Sequence, residues 1–239
     1  MKTLEAPPGN RLLFQNDSCL VLNKLPGESS EFPNLDGVGA APVHRLDTPV
    51  SGCLLLAKDK AAAAFLGQAF ARPGGVEKRY WAVIEKPKPE GVFAPEAELV
   101  HWLFEDRKAN KSFAVPAIDQ TGNETPPPKW GPVGGHIRPK KAVLRYRLAG
   151  TGDNYLFLEI DLVTGRHHQI RAQLAAIGLH VKGDLKYGAK RSERAGGIRL
   201  HAHALAFPDP LTPAEIIKVT APPPLMDPLW AAFAASLDK

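Results

Sequence analysis

An unbroken hydrophobic run extends from Cys53 to Ala57 and ends at the charged Lys58. A run of this length predicts a strand that is buried on both faces. The turn-forming residues just before it are Thr48, Pro49, Ser51 and Gly52. Asp47 is therefore expected on a loop that enters a core strand.

Other segments alternate between hydrophobic and polar positions, as half-buried strands do. They are a hairpin at 12–24, a strand at 76–85, and two strands at 142–148 and 155–162 joined by a glycine-containing turn. These segments indicate a strand-rich fold.

Hydrophobic residues fall at helical spacing in three places. Asp59 can cap a helix from Lys60 to about Ala71. A second helix carries Ile170, Leu174 and Ile177 and ends at Gly178. The pair Asp227-Pro228 predicts the start of a last amphipathic helix.

The segment 87–139 breaks this pattern. Proline, glycine and charged residues become frequent there, including the run 126–128 of three prolines and the pair Gly134-Gly135. Such a composition disfavours continuous secondary structure. We predict a loop-rich insertion at about 87–139.

Charge is distributed unevenly along the chain, whose net charge is +5 with a pI near 9.2. Residues 1–36 carry a net charge of −2, whereas residues 137–199 hold thirteen basic and five acidic side chains, a net charge of +8. The local excess predicts a surface that binds phosphates. The alternative is a solvated basic face without a ligand.

Several other classes of protein are disfavoured by composition. No segment has the apolar length of a membrane span, and residues 1–10 are too polar for a signal peptide. Cys19 and Cys53 lie in hydrophobic surroundings, which favours buried thiols in a reducing cytoplasm. His201 and His203 share one face of a strand but lack further ligands at suitable spacing, so no metal site is predicted.

Asp47 is the strongest candidate for chemistry, because a carboxylate fixed beside a cation can act as a nucleophile or an acid–base group. His44 and Arg45 stand close to it in the sequence. The alternative is that Asp47 accepts hydrogen bonds within its own turn and that Arg45 is merely its ion-pair partner.

Three motifs resemble those of the RluA-type RNA pseudouridine synthases, in the family's order. The first is H-R-L-D with the strand L-L-L-A-K, and the second is V-x-K-x-Y-x-A, which contains Tyr80. The third, T-G-R-x-H-Q-I-R, ends at Arg171. Three shorter elements also resemble the family's: V-L-N-K, followed after one residue by Pro-Gly, G-D-L-K-Y-G at 183–188, and L-H-A at Leu200 to Ala202, which resembles the last core strand. The chain departs from the family pattern at Leu25, Val50, Cys53 and Gln173. The resemblance covers most of the chain from Leu12 to Phe207.

The resemblance implies an α+β fold: a mixed, largely antiparallel sheet with flanking helices and a catalytic cleft across the sheet. It further implies that residues 1–239 form a single catalytic domain, without a separate N-terminal RNA-binding domain. We expect a cytoplasmic monomer that acts on ribosomal or transfer RNA and needs neither a metal nor a cofactor.

The resemblance also assigns roles in converting a uridine to pseudouridine. Asp47 would be the nucleophile, Tyr80 would hold the flipped base, and Arg171 would keep Asp47 ionised by gripping both of its oxygens. The residues expected to bind substrate are His44, Arg45, Arg166, His168, Gln169 and Leu200.

Two other functions are compatible with parts of this pattern. A non-catalytic RNA-binding protein on the same fold would explain the charge but not the joint presence of Asp47, Tyr80 and Arg171. A glycosidase-like hydrolase would need a second carboxylate as its acid, and none lies near Asp47 in the sequence.

Overall fold

The computed structural model describes residues 2–5, 11–31, 39–87, 93–117, 138–194, 196–223 and 227–237. The strands in chain order are β1 (Lys2–Glu5), β2 (Leu12–Gln15), β3 (Cys19–Lys24), β4 (Ala41–Pro42), β5 (Ser51–Ala57), β6 (Glu77–Glu85), β7 (Glu96–Asp106), β8 (Lys111–Pro116), β9 (Lys140–Thr151), β10 (Tyr155–Leu162), β11 (His180–Val181), β12 (Leu200–Pro208) and β13 (Ile216–Thr220). The helices are α1 (Lys60–Ala71), α2 (Gln169–Ala176) and α3 (Pro228–Leu237), with a 3₁₀ turn at Leu185–Tyr187.

The strands form one mixed sheet whose main path runs β2-β3-β5-β12-β6-β10-β9-β7-β8. Neighbours on this path pair antiparallel except β5 and β12, which are parallel. Away from the path, β1 and β13 also pair parallel. The predicted α+β class with a largely antiparallel sheet is confirmed.

Strand β5 lies in the middle of the core, with all seven residues buried. Leu54 and Leu56 point into the hydrophobic cluster on one face of the sheet, and Cys53 and Leu55 into the cluster on the other. The prediction of a strand buried on both faces is confirmed. Gly52 is required at its start, since φ is +113° and an added Cβ would lie 2.3 Å from the carbonyl oxygen of Ala202 on β12.

The three helices begin as the sequence predicts. The Asp59 carboxylate accepts a hydrogen bond from the Ala62 amide at 2.8 Å, which caps α1. The Asp227 carboxylate accepts the Trp230 amide at 3.1 Å at the start of α3. Helix α2 follows directly on a turn at 164–168, which brings its first residues to the sheet.

The prediction of loops across 87–139 is wrong for the part that the structure describes. Strands β7 and β8 form an antiparallel hairpin, and β7 pairs with β9 over eight residues. Every second residue of β7 from Leu99 to Leu103 is buried, which is the strand pattern. The many flanking prolines and glycines outweighed this alternation in the sequence. Residues 118–137 of the predicted insertion lie outside the described ranges.

None of the helices in the described ranges is long and apolar enough to cross a membrane.

Candidate active site

Asp47 lies on the turn that leads into β5, and buried polar groups fix the backbone on both sides of it. The Ser30 hydroxyl accepts the Leu46 amide at 3.0 Å and donates to the Leu46 carbonyl at 2.8 Å. The Thr48 carbonyl accepts from the Lys24 ammonium at 3.1 Å. A rigid loop therefore presents the Asp47 carboxylate, which is 23% exposed.

As far as the chain is described, no group of its own turn forms a hydrogen bond with the Asp47 carboxylate. Within the described residues, its hydrogen bonds and ion pairs go to side chains of the segment 168–171, at the far side of the cleft. Arg45 is exposed and pairs with Glu31 at 3.2 Å instead. The geometry therefore goes against the turn-residue alternative for Asp47.

Arg171, in the first turn of α2, directs its guanidinium at two carboxylates. Nη1 donates to Oδ2 of Asp47 at 2.9 Å, while Nε and Nη2 donate to the two oxygens of Asp184 at 2.6 and 2.8 Å. The predicted contact with Asp47 is present, but the prediction that the fork grips both Asp47 oxygens is wrong. Asp184 takes the fork because its side chain is almost completely buried and needs a full partner.

The charge of Arg171 is stabilised by this arrangement. Burial works against the guanidinium, yet the hydrogen bonds to Asp184 and the charges of both carboxylates outweigh it, so the pKa of Arg171 is raised. The result is a permanently charged group that faces Asp47 inside the cleft.

Tyr80 projects from β6 into the same cleft and is 8% exposed. Burial, and then the negative charge of Asp47, raise the pKa of the Tyr80 phenol. Tyr80 therefore keeps its proton at neutral pH and presents a ring with a hydroxyl group beside the carboxylate.

Three of the residues predicted to bind substrate line the cleft near Asp47: His44, Arg45 and Leu200. The Nε2 atom of His44 accepts the Leu55 amide at 3.0 Å, and burial lowers the pKa of this imidazole to about 4. His44 thus holds the loop on β5 as a neutral ring. Leu200 is buried at the start of β12. Their contacts with substrate stay a prediction.

The other three predicted substrate-binding residues, Arg166, His168 and Gln169, lie on the turn before α2 and at its start. The Gln169 carboxamide is occupied by the protein: its oxygen accepts from the Thr164 hydroxyl at 2.8 Å and the Arg166 amide at 2.9 Å, and its nitrogen donates to the Val143 carbonyl at 3.0 Å. Gln169 therefore shapes the turn, and its contact with substrate stays a prediction.

The cleft encloses about 1160 Å³ and carries an excess of positive charge. Its lining includes the carboxylates of Glu31, Asp47 and Glu105. Its cationic lining residues are Arg45, Arg72, Lys78, Arg107, Arg166 and Arg171. An anionic ligand is favoured at such a surface.

The basic segment 137–199 contributes less free charge than its composition predicts. Counting only partners in the described ranges, at least five of its thirteen basic residues form ion pairs with carboxylates: Arg145, Arg147, Arg171, Lys182 and Arg199. Among the described residues, six cations line the cleft, and four of them come from earlier in the chain. A count along the sequence cannot distinguish paired from free cations.

Sequence reasoning gave no role to two further residues that support the site. Lys24 is fully buried, and its ammonium donates to the carbonyls of Leu25, Glu28 and Thr48 at 2.9 to 3.1 Å. Burial lowers the pKa of Lys24 to about 8. Asp184 is the second. Both lie in motifs that resemble the family's, V-L-N-K and G-D-L-K-Y-G, and these motifs were the available signal.

The histidines of β12 are engaged with the protein. One ring nitrogen of His201 bonds Ser51 Oγ at 2.9 Å and the other the Ala221 carbonyl at 2.9 Å. Nδ1 of His203 also bonds the Ala221 carbonyl, at 3.0 Å.

Curated relatives of this chain include several RNA pseudouridine synthases. An uncharacterized RNA pseudouridine synthase of Zymomonas mobilis is 31% identical over 166 residues, covering 68% of this chain and 64% of the relative. The uncharacterized RNA pseudouridine synthase YlyB of Bacillus subtilis is 28% identical, covering 85% and 59%. The ribosomal large subunit pseudouridine synthase D of Zymomonas mobilis is 27% identical, covering 86% and 67%. The match thus spans about three fifths of the first two relatives.

Solved structures with the same fold include two human proteins. The human RNA pseudouridylate synthase domain containing 1 aligns with a TM-score of 0.69 at 24% identity, over 97% of this chain and 90% of that one. Its counterpart, domain containing 4, aligns with a TM-score of 0.68 at 20% identity, over 95% and 92%. The fold is that of the pseudouridylate synthases. A family model described as RNA pseudouridylate synthase matches residues 27–176, and the chain belongs to this family, in its RluA-type branch.

Proposed function

We propose that this protein isomerises a uridine in ribosomal or transfer RNA to pseudouridine, with Asp47 as the nucleophile. The observation that carries the proposal is the Asp47 carboxylate, which a rigid loop presents in a cationic cleft within 2.9 Å of Arg171. Family membership supports the reaction, and the charge of the cleft supports an RNA substrate. Release of tritium from carbon five of uridine, without free uracil, tests it.

The reaction balances without any co-reactant. Attack of an Asp47 oxygen on C1′ of the ribose forms an ester bond, breaks the bond from C1′ to N1, and leaves the electron pair on the uracil ring. After the uracil turns, C5 attacks C1′ and the carboxylate leaves again. C5 then loses its proton and N1 gains one.

The target base must leave the RNA stack before Asp47 can reach it. A volume of about 1160 Å³ accommodates an extruded nucleotide, and the cations around the opening suit the flanking phosphates. Contacts around this opening select the RNA target. Ribosomal RNA and transfer RNA are both chemically suitable for such contacts.

Tyr80 is assigned two tasks by this proposal, stacking on the flipped base and relaying the C5 proton. Its phenol is protonated in the free protein because of burial and the Asp47 charge. The ester has already broken when C5 loses its proton, so the Asp47 charge is present again and the Tyr80 hydroxyl passes the proton on without remaining ionised.

Tyr80→Phe is expected to keep RNA affinity and to lose about 100-fold in single-turnover rate, because stacking needs the ring and proton relay needs the hydroxyl. Tyr80→Ala should lose affinity as well. Rates at saturating RNA and filter-binding affinities measure the two effects. Tyr146→Phe is the matched control, since it removes a buried hydroxyl outside the cleft. Wild-type turnover by Tyr80→Ala would remove both tasks.

Affinity for RNA is expected to fall steeply with salt, since phosphate contacts release counterions. Arg72→Gln and Arg166→Gln, at the exposed edge of the cleft, should each lower the slope of log affinity against log salt by about one. Lys60→Gln on α1 is the control, because Lys60 is exposed and does not line the cleft. A slope near zero for the wild type would contradict phosphate binding.

A further inference from the structure

Two donors from α2 and its N-terminal turn converge on one oxygen of Asp47. Arg171 Nη1 lies 2.9 Å from Oδ2, and Nε2 of His168 lies 3.7 Å from the same atom. Within the described residues, Oδ2 accepts a hydrogen bond and Oδ1 accepts none. The carboxylate is therefore approached asymmetrically, and its two oxygens are not equivalent.

The protonation of His168 follows from its neighbours. The Tyr187 hydroxyl accepts the backbone amide of Ser112 at 2.8 Å, so its own proton is available for Nδ1 of His168 at 3.0 Å. Nδ1 is then an acceptor, and the remaining proton of a neutral ring is on Nε2, which faces Asp47. Burial and the nearby charge of Arg171 lower the pKa of His168 to about 3, which keeps the ring neutral.

Strand β8 and the backbone fix the direction of this ring. Ser112 is 2% exposed and also contacts the neighbouring His167, whose Nδ1 lies 2.9 Å from its Oγ. The two imidazoles stack with their centroids 3.8 Å apart. His168 has φ of +51°, a left-handed conformation that few residues other than glycine adopt. Such backbone outliers cluster at active sites.

We propose that His168 is a positioning residue whose Nε2–H, together with Arg171, holds Oδ2 of Asp47 and leaves Oδ1 as the oxygen that attacks C1′. The Tyr187 hydroxyl, held by the Ser112 amide, sets the tautomer that makes this possible. This inference rests on the proposed function of Asp47. In the reaction, Oδ1 forms the bond to C1′ and the bond to N1 breaks, while His168 keeps its proton throughout. Hydrogen bonds of this kind are often long in the free enzyme and shorten when substrate binds.

The tautomer is measured directly by two-dimensional ¹⁵N NMR of the imidazoles in the free protein, with His168→Asn for assignment. We expect the proton of His168 on Nε2. Two other rings serve as references: His201 donates from Nε2 to the Ala221 carbonyl, and His44 accepts at Nε2 and so carries its proton on Nδ1. In Tyr187→Phe the His168 signal should move toward a mixture of tautomers. A proton on Nδ1 in the wild type would overturn the proposal.

Kinetics test the consequence for Asp47. His168→Asn suits the left-handed backbone but has no donor that reaches Oδ2, and its single-turnover rate at saturating RNA should fall roughly 10- to 100-fold with little change in KM. Tyr187→Phe should lose about tenfold. It keeps the ring that lies 4.9 Å from the Arg171 guanidinium carbon and removes only the hydroxyl. Tyr146→Phe controls for loss of a buried hydroxyl.

The outcomes separate this inference from the proposed function. An active wild type, an inactive Asp47→Asn and a His168→Asn rate within about threefold of wild type would overturn the role of His168 alone. A wild type that binds RNA but forms no pseudouridine would overturn the proposed function instead, while the tautomer measurement would still report on the geometry.

Discussion

Asp47→Asn is expected to bind RNA as the wild type does and to lose roughly 10⁴-fold or more of its single-turnover rate. The two side chains have nearly the same shape, and the loop around residue 47 is held by Ser30 and Lys24 rather than by the carboxylate. A carboxamide, however, cannot form the ester that divides the reaction into two displacements. Pseudouridine formed from saturating RNA in a single turnover is the quantity to measure.

Asp161→Asn is the matched control for this variant. Asp161 also accepts hydrogen bonds from an arginine, Arg79, at 2.8 and 3.2 Å, but on the exposed face of the sheet. It should retain the wild-type rate. Pseudouridine formation by Asp47→Asn at a rate near that of the wild type would exclude Asp47 as the nucleophile.

Arg171→Met is expected to lower the single-turnover rate roughly 10³-fold and to destabilise the protein by about 3–5 kcal/mol, because two carboxylates lose one shared cation. Arg171→Lys should retain the fold yet lose about 100-fold in rate, since an ammonium cannot donate to Asp184 with a fork and to Asp47 at once. Thermal unfolding and rates at saturating RNA separate the two effects. Arg171→Met combined with Asp184→Asn should recover stability but not activity.

Arg79→Lys is the control for replacing arginine by lysine, since Arg79 forms a bidentate ion pair with Asp161 on the surface. Surface pairs contribute little, so this variant should differ from the wild type by less than about 1 kcal/mol and keep its rate. If Arg171→Lys and Arg171→Met both turned over at the wild-type rate on saturating RNA, Arg171 would serve only the fold or RNA binding.

The strongest local patterns in the sequence predicted the elements that position Asp47. The run from Cys53 to Ala57 is hydrophobic on both faces because β5 lies between β3 and β12 in the core, and few other structures suit such a run. Asp59 predicted the start of α1 because capping is a local interaction. Interactions within a few residues can be inferred from sequence patterns alone.

The hairpin of β7 and β8 shows where such patterns fail. Residues 96–106 show the alternation of a strand, but the chain around them is rich in proline and glycine. The composition over fifty residues therefore dominated the prediction. Strand β13 was also missed, because it is only five residues long and one of its two pairing partners, β1, is distant in the sequence. Pairing between distant strands has no local signature.

The sequence predicted that three candidate site residues come together, but it did not predict their hydrogen bonds. Family motifs pointed to Asp47, Tyr80 and Arg171, and all three line one cleft. The guanidinium fork pairs with Asp184 because the Asp184 carboxylate is buried more deeply than that of Asp47. Depth of burial is a property of the folded chain. The contact from Ser112 through Tyr187 to His168 joins three separate segments, so it could be found only in three dimensions.

The central claim is that this protein is an RNA pseudouridine synthase. The most direct test is the amount of tritium released per pseudouridine formed. RNA from cells that lack the gene, labelled with tritium at C5 of uridine, is incubated with the wild-type protein, and tritium released to water is compared with free uracil. We predict one tritium per pseudouridine formed and no free uracil. Bound RNA without tritium release would indicate a binding protein, and release of uracil would indicate a hydrolase; either result would contradict the claim.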